Sequence, residues 1–332
     1  MMVNMMMVLL WSKFSCNFLL NMYNKLGRID PKIMPDIRSE LLGVPTKICM
    51  IPVLTKLMKP LAELLNNDDI FSKVNSVTGE GADDVARNDK NLVIKAMYKG
   101  FEFLGGKPRG IALRQLNVIP HGRGLGSSAS AIVGGLSLAR ALVLGGNERM
   151  SHEDMLNIDN EMEGHPDNVA AALYGGATVA WQDEVKSKIF AHALHLPVDP
   201  RIKVMAFIPS TPLATKKART MLPDFIPFAD AQRNSTNTAI MMQALTIRPD
   251  LLLTATEDFL HQSYRQEAMP ASYALMNKLR AAGVAAFISG AGPTVLALHT
   301  GDQEESEQLA RAGGAKFEGK SLEIASRGAT LL

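Results

Sequence analysis

The sequence is poor in the residues that staple a chain, coordinate metal or anchor it in a membrane. Of its 332 residues only Cys16 and Cys49 are cysteines. Two are too few for a disulfide framework, and no Cys-x-x-Cys pair or Cys/His cluster marks structural zinc. That usage fits a reducing cytosol. An excess of one charge is lacking too. The formal net charge is +2 and no long run of Lys and Arg occurs, which argues against a nucleic-acid partner. Long apolar runs are missing as well. The longest near the start, Met5 to Leu20, is cut by Lys13 and Asn17 and falls short of the ~20 residues of a spanning helix. No charged residue precedes it and no small-residue cleavage site follows, so it does not read as a signal peptide. The expectation is a soluble cytoplasmic protein with no membrane partner, long enough for two domains.

Glycine is scarce in one place only. Of the 26 glycines just Gly27 and Gly43 precede residue 73, whereas nine of the 19 methionines do. The same stretch shows neither sustained helical period nor alternation, and its one helix-like segment, Ile51 to Leu65, contains Pro60. The expected organisation is therefore an atypical segment over 1–72, a first domain over 73–187 and a second over 188–332.

From Val74 the chain patterns clearly. Asn91 to Leu104 reads as a helix, Gly110 to Ile119 as a strand and Ala131 to Leu144 as a small-residue helix. Ser151 and Asp154 form a capping box ahead of a helix whose buried face holds Met155, Ile158 and Met162. A helix over Val169 to Leu173 and a strand over Ala177 to Trp181 follow. The second half offers strands at Val204 to Ile208, Ala285 to Ser289 and Thr294 to His299. Its helices are expected near Thr215 to Met221, after Asp230 and over Tyr273 to Ala282. Helices and strands mix without strict βαβ alternation, which favours an α+β fold.

Three segments carry chemistry. Pro120-His121-Gly122-Arg123-Gly124-Leu125-Gly126-Ser127-Ser128-Ala129-Ser130 leads straight into a helix. Its bare backbone can turn several amides into one concavity, and the helix N-terminus adds positive potential for an anion. It is not a Walker A loop, for want of the lysine, nor a dinucleotide fingerprint, because the third glycine comes one residue early. A plain tight turn is the alternative. Glu163-Gly-His165-Pro-Asp167-Asn168 sets a carboxylate, an imidazole and an acceptor around a helix start. One such carboxylate suffices for Mg²⁺, which keeps waters and phosphate oxygens; helix capping by Asp167 is the alternative. Ser289-Gly-Ala-Gly-Pro-Thr294 is a glycine turn between apolar strands, most simply a bulged hairpin.

Taken in order, Pro120 to Ala129 and Ser289 to Thr294 resemble the second and third motifs of the small-molecule kinases that include galactokinase, homoserine kinase, mevalonate kinase and phosphomevalonate kinase. Within that family the resemblance is to the homoserine kinases. It rests on Glu163 to Val169, on Ile208-Pro-Ser-Thr-Pro-Leu-Ala-Thr-Lys-Lys-Ala-Arg219, and on His261-Gln-Ser-Tyr-Arg265 before Met269-Pro270. It covers about residues 76–332. It implies a two-domain α+β fold, with an N-terminal nucleotide domain and a C-terminal ferredoxin-like domain. It also implies ATP-dependent phosphorylation of the side-chain hydroxyl of L-homoserine on the way to threonine, with ATP and Mg²⁺ as cofactors.

By the same resemblance, Pro120 to Ser130 would hold the ATP phosphates, and Ser128 and Glu163 the magnesium. His165, Thr215, Arg219 and Arg265 would hold the amino acid, the two arginines gripping its carboxylate. Asn168 would lie near the attacking hydroxyl. Asp167 is the one carboxylate close enough to act as a base and is expected to be structural. The motifs define no oligomeric state; a homodimer is compatible with them. The family's first motif, an Asn/Gly-rich string near the N-terminus, is not found; the nearest string is Asn24-Lys-Leu-Gly27. Two readings stand: a divergent N-terminus, or a reading frame that joins the true one near residue 73, where the composition also changes. The second is favoured. On it, a central strand and the ammonium-binding half of the substrate site would be lost, leaving an inactive or merely ligand-binding member of the fold.

Overall fold

The structure, a computed structural model, describes residues 76–106, 108, 111–213, 218 and 220–331. The readings made of residues 1–72, and most of the helix expected near Thr215 to Met221, lie outside the described residues.

The first half is built on helices. Helix α1 (Leu92–Phe103) starts where the Asn91 side chain accepts from the amides of Val93 and Ile94. It packs on α2 (Ser127–Leu142), followed by the short α3 (Gly146–Arg149). Helix α4 (His152–Glu163) opens with the expected capping box: the Asp154 amide donates to Ser151 Oγ at 3.0 Å and the Ser151 amide to the Asp154 carboxylate at 2.7 Å. Helix α5 (Asp167–Tyr174) follows after one turn. Ile132, Val133 and Leu136 of α2, Met155 and Leu156 of α4 and Val169 of α5 close one core. Strands β1 (Ser76–Gly79) and β2 (Arg114–Asn117) pair in parallel beside it. β2 is shorter than expected, because Ile111 and Leu113 before it turn inward onto the Val93, Met97 and Phe101 face of α1.

A hairpin of β3 (Ala177–Val185) and β4 (Lys188–Leu196) covers α4. Its turn is Lys186-Ser187, both at positive φ, as a two-residue hairpin turn demands. The division expected between residues 187 and 188 thus falls inside a continuous ladder, and the chain leaves the hairpin only after Leu196.

The second half holds a four-stranded antiparallel sheet, β6 (Ala285–Ile288), β7 (Val295–His299), β5 (Lys203–Pro209) and β8 (Phe317–Leu322), in that order. With the helices between strands this is the β-α-β-β-α-β arrangement of a ferredoxin-like unit. Val204 to Ile208 is buried on both faces, hence its unbroken apolar run. Met205 and Phe207 face α8 (Pro270–Ala281) and α9 (Gln303–Ala310). Val204, Ala206 and Ile208 face α6 (Phe228–Thr246) and the short α7 (Leu252–Ala255). Leu125, from the glycine loop of the first half, is buried in this latter cluster. Among the described residues no helix is long and apolar enough to cross a membrane.

Candidate active site

The glycine loop is held from three sides. Helix α2 begins at Ser127, four residues earlier than the sequence reading, because Gly126 takes φ +71° and serves as its N-cap. Ser127, Ser128 and Ala129 therefore form the first turn, whose amides have no partner within the helix. The Ser130 amide and hydroxyl both donate to the Gly126 carbonyl, at 3.0 and 2.9 Å, so Ser130 closes the turn rather than facing outward. Ser128 is exposed. A Cβ on Gly126 would lie 4.0 Å from that of Asn168, so the N-termini of α2 and α5 meet.

The third motif forms the hairpin turn between β6 and β7, with a cis Gly292-Pro293 bond, and also braces the loop. Ser289 Oγ donates to the Gly124 carbonyl at 2.7 Å, and the Thr294 amide to that of Arg123 at 3.3 Å. Gly124 sits at φ +73°, and a Cβ on it would fall 2.2 Å from Ser289 O. Gly124→Ala should therefore cost about 2–5 kcal/mol, from the left-handed backbone and the overlap combined. Urea denaturation checks this; a variant as stable as the parent would show that the loop yields easily.

Arg123 is a strut. Its Nε donates to Pro209 O at 2.8 Å, one Nη to His121 O at 2.7 Å and the other to Ser210 O. The guanidinium thus ties the loop to the end of β5 and is committed to backbone carbonyls. Leu125 anchors the loop by burial, as above. His121 packs beside Gly81, and its Nε2 lies 3.5 Å from the side-chain nitrogen Nδ2 of Asn117. Pro120 and Gly122 complete the turn, Gly122 O accepting from the Leu213 amide at 2.9 Å.

Glu163, half-buried, ends α4, and Gly164 caps it at φ +84°. Asp167 Oδ1 accepts from the Asn168 amide at 2.7 Å and lies 2.6 Å from His165 Nδ1. Asp167, the first residue of α5, thus satisfies the amide that follows it and orients the imidazole. Arg265 is buried. Its Nε donates to Ala218 O at 3.0 Å, and one Nη to Gly290 O at 3.4 Å beside His261 Nδ1 at 3.1 Å. It thus links the third motif to the segment that carries Thr215 and Arg219, which themselves lie outside the described residues.

Two residues escaped the sequence reading. Asp258 accepts from the amides of His261 and Gln262 at 2.9 and 2.7 Å and lies 3.3 Å from the His261 ring. It sets the turn that presents Arg265; an Asp three residues before a His, at a turn, was the available signal. Burial pulls the His261 pKa down, with Asp258 opposing and Arg265 adding to the drop. The other is Asp159, fully buried on α4 one turn before Glu163, with neither carboxylate oxygen hydrogen-bonded among the described residues. Burial, and then Glu163, push its pKa up to about 8.

The donor set suits magnesium. Among the described residues no three His, Cys, Asp or Glu side chains cluster as a metal cage. Magnesium needs none, taking one or two carboxylates and filling its octahedron with waters and phosphate oxygens.

Comparison with known proteins agrees with this geometry. Residues 91–176 match the GHMP kinases N terminal domain, and residues 241–319 the GHMP kinases C terminal. The homoserine kinase of Streptomyces coelicolor is 43% identical over 256 residues, covering 77% of this chain and 81% of the relative. That of Mycobacterium tuberculosis is 42% identical over 242 residues, covering 73% and 76%. The crystal structure of homoserine kinase from Cytophaga hutchinsonii superposes with a TM-score of 0.65 at 24% identity, over 77% of this chain and 83% of that one, a likeness of fold. With its glycine loop, its Glu163 to Asn168 segment and its third motif gathered at one place, the chain belongs to the homoserine kinases of the GHMP kinase family.

Proposed function

We propose that the protein transfers the γ-phosphoryl group of ATP to the side-chain hydroxyl of L-homoserine, forming O-phospho-L-homoserine and ADP. The observation that carries this is the meeting of the α2 and α5 N-termini at Gly126 and Asn168, braced by the third motif. Two helix ends and a bare loop give a polyphosphate the donors it needs. Asn168, on the facing helix, is then next to the phosphates, where the acceptor hydroxyl must come. That oxygen bonds to the γ-phosphorus as the bond to the β,γ-bridging oxygen breaks. The hydroxyl proton leaves with the phosphate oxygens or water. No strong base is required, since phosphoryl transfer asks the protein mainly for position and charge neutralisation. Asp167, already engaged with His165 and the Asn168 amide, stays in its structural part. Glu163 and Ser128 would hold magnesium, which would supply charge neutralisation at the phosphates.

His165, oriented by Asp167, together with Thr215, Arg219 and Arg265, holds the amino acid. The planar fork of an arginine suits a carboxylate. Arg265→Lys keeps the charge and loses the fork, so the KM for homoserine should rise about tenfold or more, from contacts worth roughly 1.5–3 kcal/mol, while the KM for ATP holds. Equal loss for ATP with homoserine unchanged would remove Arg265 from the amino-acid site. The direct test of the function is ADP release by the purified full chain on adding homoserine, with ³¹P NMR of the product. A phosphomonoester signal dependent on both substrates is expected; no turnover with retained ATP binding would overturn the reading.

A further inference from the structure

The turn that presents Arg265 holds a chain of three polar side chains with a defined direction. Asp258 Oδ2 accepts from the amides of His261 and Gln262 at 2.9 and 2.7 Å, so that oxygen is committed to backbone. The other oxygen, Oδ1, lies 3.3 Å from Nε2 of His261. Across the ring, Nδ1 lies 3.1 Å from an Nη of Arg265. The turn is itself tied down. The Phe259 amide donates to Asn234 of α6 at 3.1 Å, and Gln262 accepts from the Ile288 amide, at the end of β6, at 2.6 Å.

These contacts decide which ring nitrogen carries the proton. A guanidinium has only donors, so the Nδ1 that faces it must accept. An ionised carboxylate only accepts, so the Nε2 that faces it must carry the hydrogen. His261 is therefore a neutral imidazole protonated at Nε2. Burial, which pulls its pKa down against the charge of Asp258 and together with that of Arg265, favours the same neutral form. The lone pair of Nδ1 then holds one Nη of Arg265, while Nε donates to Ala218 O at 3.0 Å. Two anchored points fix the plane of the guanidinium.

We propose that Asp258 and His261 are positioning residues for homoserine: Asp258 selects the tautomer of His261, which sets the plane in which Arg265 meets the amino-acid carboxylate. This rests on the reading of Arg265 as a carboxylate ligand. A carboxylate takes paired hydrogen bonds only from a guanidinium in its own plane. A tilted Arg265 keeps its charge and loses that match.

Asp258→Asn tests the relay with almost no change of shape. The two backbone amides still need an oxygen, so the carboxamide turns its NH₂ toward Nε2. Nε2 must then accept, the proton moves to Nδ1, and Nδ1–H confronts the donors of Arg265. Such an exchange beside a histidine traps the wrong tautomer. The KM for homoserine should rise roughly tenfold, about what one hydrogen bond to a charged group carries, while kcat and the KM for ATP hold. Nitrogen-15 spectra of the histidine rings should show His261 protonated at Nε2 in the parent and at Nδ1 in Asp258→Asn. His261→Asn assigns the signal by its loss. It also puts an amide oxygen where Nδ1 stood and has no tautomer to lose, so the homoserine KM should stay near the parent value. Adding Asp258→Asn to it should then cost nothing further. His261→Leu, of similar size and without an acceptor, should raise the KM as Asp258→Asn does.

A parent ring protonated at Nδ1 would overturn the proposal. So would a further loss in the double variant, which would assign the effect to the turn rather than to the tautomer. Arg265→Lys separates the proposal from the reading beneath it. If that variant raises the homoserine KM and Asp258→Asn does not, Arg265 keeps its part and the relay falls. If neither raises it, both fall.

Discussion

Glu163→Gln is expected to lower kcat by about 100- to 1,000-fold, with little change in the affinity for homoserine. The substitution is nearly isosteric and leaves the end of α4, with Gly164 as its cap, in place. What it removes is one negative charge at the position proposed to hold magnesium beside the phosphates. In phosphoryl transfer, charge shifts toward the leaving oxygens, so a correctly placed cation matters most in the transition state. Losing one such electrostatic element typically costs about 10²–10³ in kcat. Part of the loss should return as magnesium is raised, because the cation still has nucleotide oxygens to bind. Steady-state kinetics across a magnesium series separates these effects. An unchanged kcat at saturating magnesium would take Glu163 out of the cation site.

The sequence and the structure agree where a local rule determines the outcome. The capping box of Ser151 and Asp154 is local chemistry, and it formed as written. The doubly buried β5 was legible because five apolar residues in a row suit no half-exposed strand. Strand β4 was not legible. Its turn, Lys186-Ser187, takes positive φ without a glycine or asparagine to announce it, and its inward residues Ala191 and Ala193 are too small to show as an alternation. The three site segments could be picked out by their likeness, taken in order, to the motifs of one family; alone, two of them read as a capped helix and a bulged hairpin. What each residue in them does could not be read. Arg123 looks like a phosphate ligand until it is seen bonded to Pro209, nearly ninety positions along the chain. Leu125 reads as loop and proves to be core. Asp258 and Asp159 owe their significance to partners, or to the lack of them, that only the folded chain determines.

Asp159 should also leave a mark on stability, with a sign opposite to that of most carboxylates. In the folded chain it holds its proton to about pH 8, through burial first and the Glu163 charge second; unfolded, it releases that proton near the ordinary aspartate value of about 3.9. Between those limits folding takes up a proton. The contribution is therefore fully present below about pH 4, falls as pH rises, and is gone above about pH 8. Each tenfold difference in proton affinity between the folded and unfolded chain is worth about 1.4 kcal/mol, so the window amounts to something on the order of several kcal/mol. Asparagine carries no titrating group and should remove this slope, so that Asp159→Asn is more stable than the parent at pH 8 and close to it at pH 4. Glu163→Gln should narrow the window by removing the second of the two causes. Urea denaturation of the three proteins in EDTA, from pH 4 to 9, measures all of this. Comparison with the parent cancels the many other groups that titrate in that range. Parallel profiles for Asp159→Asn and the parent would mean that the buried carboxyl is compensated in solution and carries no raised pKa.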